Sequence, residues 1–404
     1  MLSRPGLVAP PFEVDLVSGA FWGRDPQEEL AWLRAHDPVH WDGRVWGLTK
    51  HADVKAASTQ PELFSSAQGI RPDQAPVAHM IDMDDPQHLL RRKLVATGFT
   101  PRRVAAQEGR VLELTDAIID RICEKGECDL VRDVAAWLPI EVIGQALGVP
   151  PQDYGTLLEW SDTLLSALVG VPDEQALVKM GDAFNGYVGY VSGAVAERRA
   201  TPTDDLISIL VHAEVDGRVL SDEELIHESL LILIGGDETS RHVISGGVFQ
   251  LLKDREQWER LRADRSLLPT AVEEMLRWVS PIKNMARTAT QDLTFGGKDL
   301  KQGDKVLLLY PSANRDEDVF DDPFRFDVAR TPNEHLAFGQ GTHFCLGNAL
   351  ARLEVRTMVD RLLERLPDLE LVEQVEPAFR PANFVSGYED LPVRFTPTAP
   401  LGAR

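Results

Sequence analysis

Phe338-Gly339-Gln340-Gly341-Thr342-His343-Phe344-Cys345-Leu346-Gly347 is a glycine-punctuated loop that presents one cysteine just ahead of a helix. Glycines at 339, 341 and 347 let the backbone turn tightly and approach a large flat ligand, because no Cβ intervenes. Leu346, Leu350, Leu353, Met358, Leu362 and Leu363 follow at helical spacing, which puts Cys345 at a helix N-terminus. Unpaired backbone N–H groups and the positive end of the helix dipole favour thiolate over thiol there.

Three chemistries compete for that sulfur. Zinc is disfavoured, since no second Cys or His lies at ligand spacing near Cys345. A nucleophilic cysteine needs a base within hydrogen-bond reach, and His343, two residues away, shares a face with the thiol in extended chain but does not readily reach back to it. Heme iron needs one protein thiolate, backbone N–H groups to moderate it and flat apolar surroundings, which Phe338, Gly341 and Leu346 supply. An inert buried cysteine would leave three glycines and a histidine unexplained.

Working outward, the 404 residues carry no internal period, low-complexity tract or Gly/Ser/Pro-rich linker, so a single domain over 1–404 is expected. Met1-Leu2-Ser3-Arg4-Pro5-Gly6 lacks the apolar stretch of a signal peptide, and no apolar run reaches the ~18 residues of a membrane span. A soluble, cytoplasmic protein without a transmembrane segment is expected. Three cysteines fit a reducing compartment, and the lone pair Cys123 and Cys128 reads as structural filler. A net charge of -22 disfavours nucleic acid as a partner, since phosphate binding needs a basic face. One segment opposes that trend: between His88 and Arg110 six basic residues face the single acid Glu108.

The periodicity predicts a mainly α fold with a smaller β-rich part, at about 35–50, 284–312 and 368–396. Asp42-Gly43 reads as the turn of a hairpin over Val39 to Trp46, and Gly296-Gly297 as a second turn. Amphipathic stretches lie at roughly 104–124, 151–198, 221–253, 267–279 and 347–365. Asp84-Asp85-Pro86 opens a further helix that sets His88 and Arg92 four apart on one face, a pair suited to an anionic group. Ser221 and Glu224 form a capping box ahead of a helix apolar almost all round at 230–234. Gly235-Gly236-Asp237-Glu238-Thr239 breaks local rules in its middle, each interior glycine costing about 1 kcal/mol against alanine. Either the glycines serve close packing with Glu238 paired to a distant base, or the helix widens locally beside Glu238 and Thr239. Glu274 and Arg277 stand at i,i+3, a spacing common on helix surfaces.

Taken together, these residues resemble the cytochrome P450 superfamily of heme-thiolate monooxygenases. The cysteine loop matches its heme-binding signature F-G-x-G-x-H-x-C-x-G at each specified position, Gly-Gly-Asp-Glu-Thr resembles its oxygen-activating motif, and Glu-Met-Leu-Arg its E-x-x-R motif. The resemblance implies a triangular helical prism, heme b with dioxygen as co-substrate, and a monomer fed with two electrons by a ferredoxin and its NAD(P)H-dependent reductase. It makes Cys345 the iron ligand in the loop of Phe338 and Gly339. His88, Arg92, Arg287 and His343 would bind the propionates, and Glu238 and Thr239 would deliver protons. Glu274, Arg277 and Arg325 would form a structural triad, with Arg91 to Arg110, Arg352 and Arg356 flanking a ferredoxin-docking face. Ser240 departs from the second threonine of many members.

Ala67 to Gln74, Met80 to Pro86, Lys283 to Met285 and Arg380 to Gly387 further resemble actinobacterial cholesterol side-chain oxidases. These hydroxylate, and further oxidise, the terminal methyl (carbon 26/27) of cholesterol or cholest-4-en-3-one. Ile70, Val77, Met80, Leu231, Ile234, Gly235, Val279, Ile282, Met285 and Phe384 are then the expected channel residues. The alternatives are hydroxylation of another branched lipid, fatty acid or terpenoid, and a non-catalytic heme-binding sensor or carrier.

Overall fold

The computed structural model describes residues 10–166, 174–372 and 377–402, so Met1 to Gly6 and part of the 151–198 stretch lie outside it. Its organising element is the helix Asp222–Lys253. Ser221 Oγ accepts from the Glu224 N–H and the Glu224 carboxylate accepts from the Ser221 N–H, so the capping box forms as read. The helix is too apolar to lie on a surface, and it lends its two halves to two cores. Val243, Ile244, Val248, Phe249 and Leu251 join the core shared with helices Glu108–Asp120, Leu268–Val279 and Asn348–Arg365. Leu225, Ile232 and Leu233 join a second core under helices Tyr154–Ser166, Glu174–Ala200 and Leu206–His212.

The β portion is small. Strands β1 (Val39–Trp41), β2 (Trp46–Leu48) and β3 (Phe64–Ser65) precede the helical body, and β4 (Glu127–Asp129) lies within it. They are followed by β5 (Asn284–Ala289), β6 (Leu293–Phe295), β7 (Lys298–Leu300), β8 (Lys305–Leu309), β9 (Glu370–Leu371) and β10 (Pro392–Arg394). The main sheet runs β1-β2-β8-β5-β3, with only β2 and β8 parallel. The predicted hairpin pairs Val39 with Leu48, and Gly43 takes φ +102°, a value the missing side chain permits. Among the described residues no helix is long and apolar enough to cross a membrane. The predicted widening of the central helix is absent: it is α-helical throughout, and the six-residue π-helix sits instead at Leu130–Ala135.

Candidate active site

The central helix is open where the two cores part. Leu231, Ile234 and Thr239 are half-buried and Gly235 is exposed, although the turns on either side are buried. Positions 231, 235 and 239 repeat every four residues and therefore share one face, with 234 at its edge. A Cβ built on Gly235 meets nothing within 4 Å, so this face is open at that point. Thr239 Oγ1 donates to the Gly235 carbonyl at 2.6 Å, satisfying the hydroxyl within its own turn.

Chain segments distant in sequence are tied together around the N-terminal half of this helix and the 282–286 stretch. The Met80 N–H donates to Glu228 Oε1 at 2.8 Å, the Ala286 N–H to the Ile70 carbonyl at 2.6 Å, and the Lys283 N–H to the Phe384 carbonyl at 2.7 Å. The Asp82 carboxylate accepts from the N–H groups of Ile70 and Val77, pinning the 67–86 loop in shape. These bonds tie Met80 to the central helix, and Ile70, Val77 and Phe384 to the segments on either side, Ile70 and Phe384 meeting the 282–286 stretch that carries Ile282 and Met285. Val279, expected in the channel, packs on Gly246, about 16 Å along the helix from Gly235, and lines a small cavity with His242 and Lys283.

Cys345 ends its loop at the start of helix Asn348–Arg365, with its N–H donating to the Phe338 carbonyl at 2.9 Å. Gly339 and Gly341 take φ +69° and +74°, and a Cβ on Gly341 would lie 2.5 Å from the Ser58 carbonyl oxygen. The backbone N–H groups of Gly347 and Asn348 act on the sulfur as expected of a helix start. Burial nevertheless outweighs them, together with the Arg92 and Arg352 guanidiniums, and pushes the free thiol up.

Around the loop the structure gathers His88, Arg92, Arg287 and His343. The His88 and His343 rings stand 4.1 Å apart between centroids. Asp85 Oδ1 fixes His88 through Nδ1 at 3.0 Å, leaving the buried Nε2 without a partner. Arg287 is buried, donates only to the Ala286 carbonyl at 2.9 Å and pairs with no carboxylate among the described residues. Burial lowers its affinity for a proton, and burial together with Arg287, His88 and Arg92 drives His343 down to about 3. A buried guanidinium and an orphaned imidazole nitrogen beside a sulfur call for an anionic ligand. The two propionates and the iron of heme fit this donor set. Asp85, read from the sequence only as part of a helix start, and Tyr310 beside Gly339 and Arg287 belong to the same neighbourhood.

Glu238 is fully enclosed. Arg380 Nη1 donates to its Oε1 at 2.6 Å, His242 Nε2 lies 2.9 Å from Oε2, and Arg241 Nη1 stands 3.5 Å from Oε1. Burial works to raise its pKa, but His242, Arg241 and Arg380 hold the carboxyl well below the usual range. This is the distant-base pairing, with Arg380 as the base. Next to it, Asp237 is pushed up to about 6 by burial despite its ion pair with Arg241. Glu354 of the cysteine helix is pushed up to about 8 by burial while bonding Ser240.

Behind the loop, Arg277 meets Glu274 through two bonds of 2.7 and 2.8 Å, both side chains fully buried. Arg325 does not complete the triad. Its side chain is exposed, and only its carbonyl accepts from Arg277. Arg330 takes the place, with Nε 3.1 and 3.2 Å from the Glu274 oxygens and further bonds to the carbonyls of Asp321, Asp322 and Arg325. The basic face also narrows. Arg91 turns inward to Glu224 and Glu228, while Arg352 pairs with Glu273 and Arg356 with Glu108. Lys93, Arg102 and Arg103 stay exposed, with Arg103 reaching only the Asp204 carbonyl at 3.5 Å.

A family profile described as "Cytochrome P450" matches residues 172–387. Over 403 residues the chain is 53% identical to a "Steroid C26-monooxygenase" of Mycolicibacterium smegmatis, covering 99% of each. It is 54% identical over 396 residues to a protein of the same description from Mycobacterium tuberculosis, covering 96% of this chain and 99% of that one. A Mycobacterium marinum cytochrome P450 solved with pseudoionone superposes with TM-score 0.88 at 34% identity, covering 96% of this chain and all of that one.

Proposed function

The chain belongs to the cytochrome P450 family and has its fold and heme b cofactor, and from that premise we propose that it hydroxylates the terminal methyl, carbon 26, of a steroid side chain. Further oxidation of the same carbon toward the acid, with cholesterol or cholest-4-en-3-one as substrate, is part of the proposal. The observation that carries it is the half-open apolar strip of Leu231, Ile234 and Gly235, with Met80 bonded to the same helix at Glu228; Ile70, Val77, Ile282, Met285 and Phe384 complete the proposed channel. Two relatives named for this reaction, alike over nearly their whole length, support it.

Cys345 would hold the heme iron through its sulfur, and the N–H groups of Gly347 and Asn348 with Arg92 and Arg352 would favour the sulfur anion there. Arg287, Arg92, His88 and His343 would hold the two propionates, which would relieve the uncompensated buried guanidinium. The bound heme supplies the redox chemistry, in which one oxygen atom of O2 enters the C–H bond and the other leaves as water, with two electrons and two protons consumed. Glu238 and Thr239 hold and pass those protons at the edge of the strip. A terminal methyl has stronger C–H bonds than the neighbouring branch carbon, so the narrow apolar wall must orient it. Burial of sterol surface at about 25 cal/mol per Å2 supplies the binding energy. Electrons come from a ferredoxin docking on the exposed Lys93, Arg102 and Arg103, on the side of the cysteine helix.

Titration of the ferric protein with cholestenone tests the assignment. A low-to-high-spin change and, with ferredoxin, reductase and NAD(P)H, a 26-hydroxylated product are expected. A strong response to fatty acids with none to sterols would overturn the steroid reading.

A further inference from the structure

Helix Gln87–Ala96 presents neighbouring faces to two different places. His88 and Arg92 meet the cysteine loop at His343 and the Phe344 carbonyl, whereas Gln87, Leu90, Arg91 and Leu94 share the next face at helical spacing. That second face, with Met83, Arg218 and Glu224, walls a cavity of about 330 Å3, the size of a small-molecule site. Glu224 stands about 16 Å along the central helix from Gly235, and none of the residues expected in the substrate channel lines this cavity. Leu94 is buried, Leu90 and Met83 are half-buried, and Gln87 and Arg218 are exposed, so an apolar floor lies under a polar rim.

Arg91 and Arg218 both donate to one oxygen, Glu224 Oε1, and the other oxygen accepts the Ser221 N–H at 2.8 Å. The two guanidiniums are therefore neighbours, and the single carboxylate in the wall is shared between them. Glu228 accepts from Arg91 Nη1 at 3.0 Å, but burial pushes its carboxyl up to about 7, so it offsets only part of the second charge at neutral pH. Arg91 is only 8% exposed, yet its Nε makes no hydrogen bond among the described residues and stays accessible. Arg218 Nε makes none among them either. Guanidinium donors without an acceptor, in the wall of a cavity that carries excess positive charge, call for an anion. Met83, Leu90 and Leu94 call for an apolar body attached to it. We propose that this cavity binds a fatty acid, its carboxylate bracketed by Arg91 and Arg218 and its chain lying on Met83, Leu90 and Leu94, at a site separate from the substrate channel. A sterol or a lipid alcohol brings no charge to answer the guanidinium pair, and a bare inorganic anion leaves the apolar floor uncovered.

The test uses the heme-loaded enzyme with its iron ligated by a saturating azole, which removes binding at the substrate site from the signal. Calorimetric titration with octanoate is expected to show one equivalent bound, with 1-octanol about tenfold weaker or worse, the factor a hydrogen bond to a charged group supplies. Arg218→Gln, at an exposed position, is expected to weaken octanoate about tenfold. Leu90→Trp, which fills the cavity, is expected to abolish octanoate binding. Both variants should keep heme content, Tm and the reduced carbon monoxide band. Arg394→Gln, which removes another exposed arginine elsewhere on the surface, is expected to match wild type. Equal affinity for octanoate and 1-octanol, or undiminished octanoate binding in Arg218→Gln and Leu90→Trp, would overturn the site. Octanoate uptake that the azole abolishes would place the fatty acid over the iron and so overturn a separate site. Crystals soaked with ω-bromooctanoate give a readout independent of affinity: the anomalous bromine peak is expected beside Leu94, and a peak in the substrate channel alone would refute the proposal.

Discussion

Replacing Arg330 with alanine should weaken the fold under the cysteine loop far more than replacing Arg325. Arg330 is largely buried, reaches both oxygens of the fully buried Glu274, and donates to three backbone carbonyls. A hydrogen bond to a charged group contributes about 1.5–3 kcal/mol and a neutral one about 1. Arg277, Asn333 and the Asp327 N–H still hold Glu274 after truncation, and water reaches the carbonyls of exposed Asp321 and Asp322. A net loss of about 3 kcal/mol follows from those bonds. Arg325→Ala removes an exposed side chain that makes no hydrogen bond among the described residues, so its cost should stay within about 0.5 kcal/mol. Urea titration of the holoprotein by tryptophan fluorescence measures both, and the reduced carbon monoxide difference band reports whether the thiolate ligand survives. Arg330→Lys should recover only part of the loss, because an ammonium has no fork to span Glu274 and the carbonyls. Equal losses for the two alanine variants, or a larger one for Arg325→Ala, would refute the assignment.

Glu354 binds its proton up to about pH 8 in the folded protein against an ordinary 4.5, so the folded state holds the extra proton between those values. Stability should therefore fall as pH rises through that window, and Glu354→Gln should lose the slope while keeping the bond to Ser240; urea midpoints at pH 5.5 and 8.5 measure it. Arg287→Met should speed heme loss to a heme-scavenging globin by roughly tenfold or more, since a charge-assisted bond is removed while the volume stays. Gly235→Ala should raise stability by up to about 1 kcal/mol, because a Cβ there meets only open space. The same methyl should weaken the sterol-induced spectral change, and an unchanged sterol affinity would remove Gly235 from the channel wall.

What could be read without the structure was local. The capping box at Ser221, the i,i+3 pairing of Glu274 with Arg277 and the hairpin turn at Gly43 depend on backbone geometry over a few residues. The helix period or the turn type dictates each. The cysteine loop belongs with them, since its positive-φ glycines and helix start are features of ten consecutive residues. Partner choice across the chain was not legible. Glu274 takes Arg330, 56 residues away, rather than Arg325; Glu238 takes Arg380, 142 away; and Arg91 turns to Glu228, 137 away, leaving the basic face. Arg325 and Arg330 are equally basic and five residues apart, so only the path of the loop decides which one enters the core. His242 is the mixed case. Its spacing from Glu238 is written in the helix period, but its ring packs closely on Gly387, 145 positions further on, where any Cβ would clash with it. Local spacing determines which groups share a face; tertiary packing decides which of them find a counter-charge, and that difference separates the chemistry of this site from its wiring.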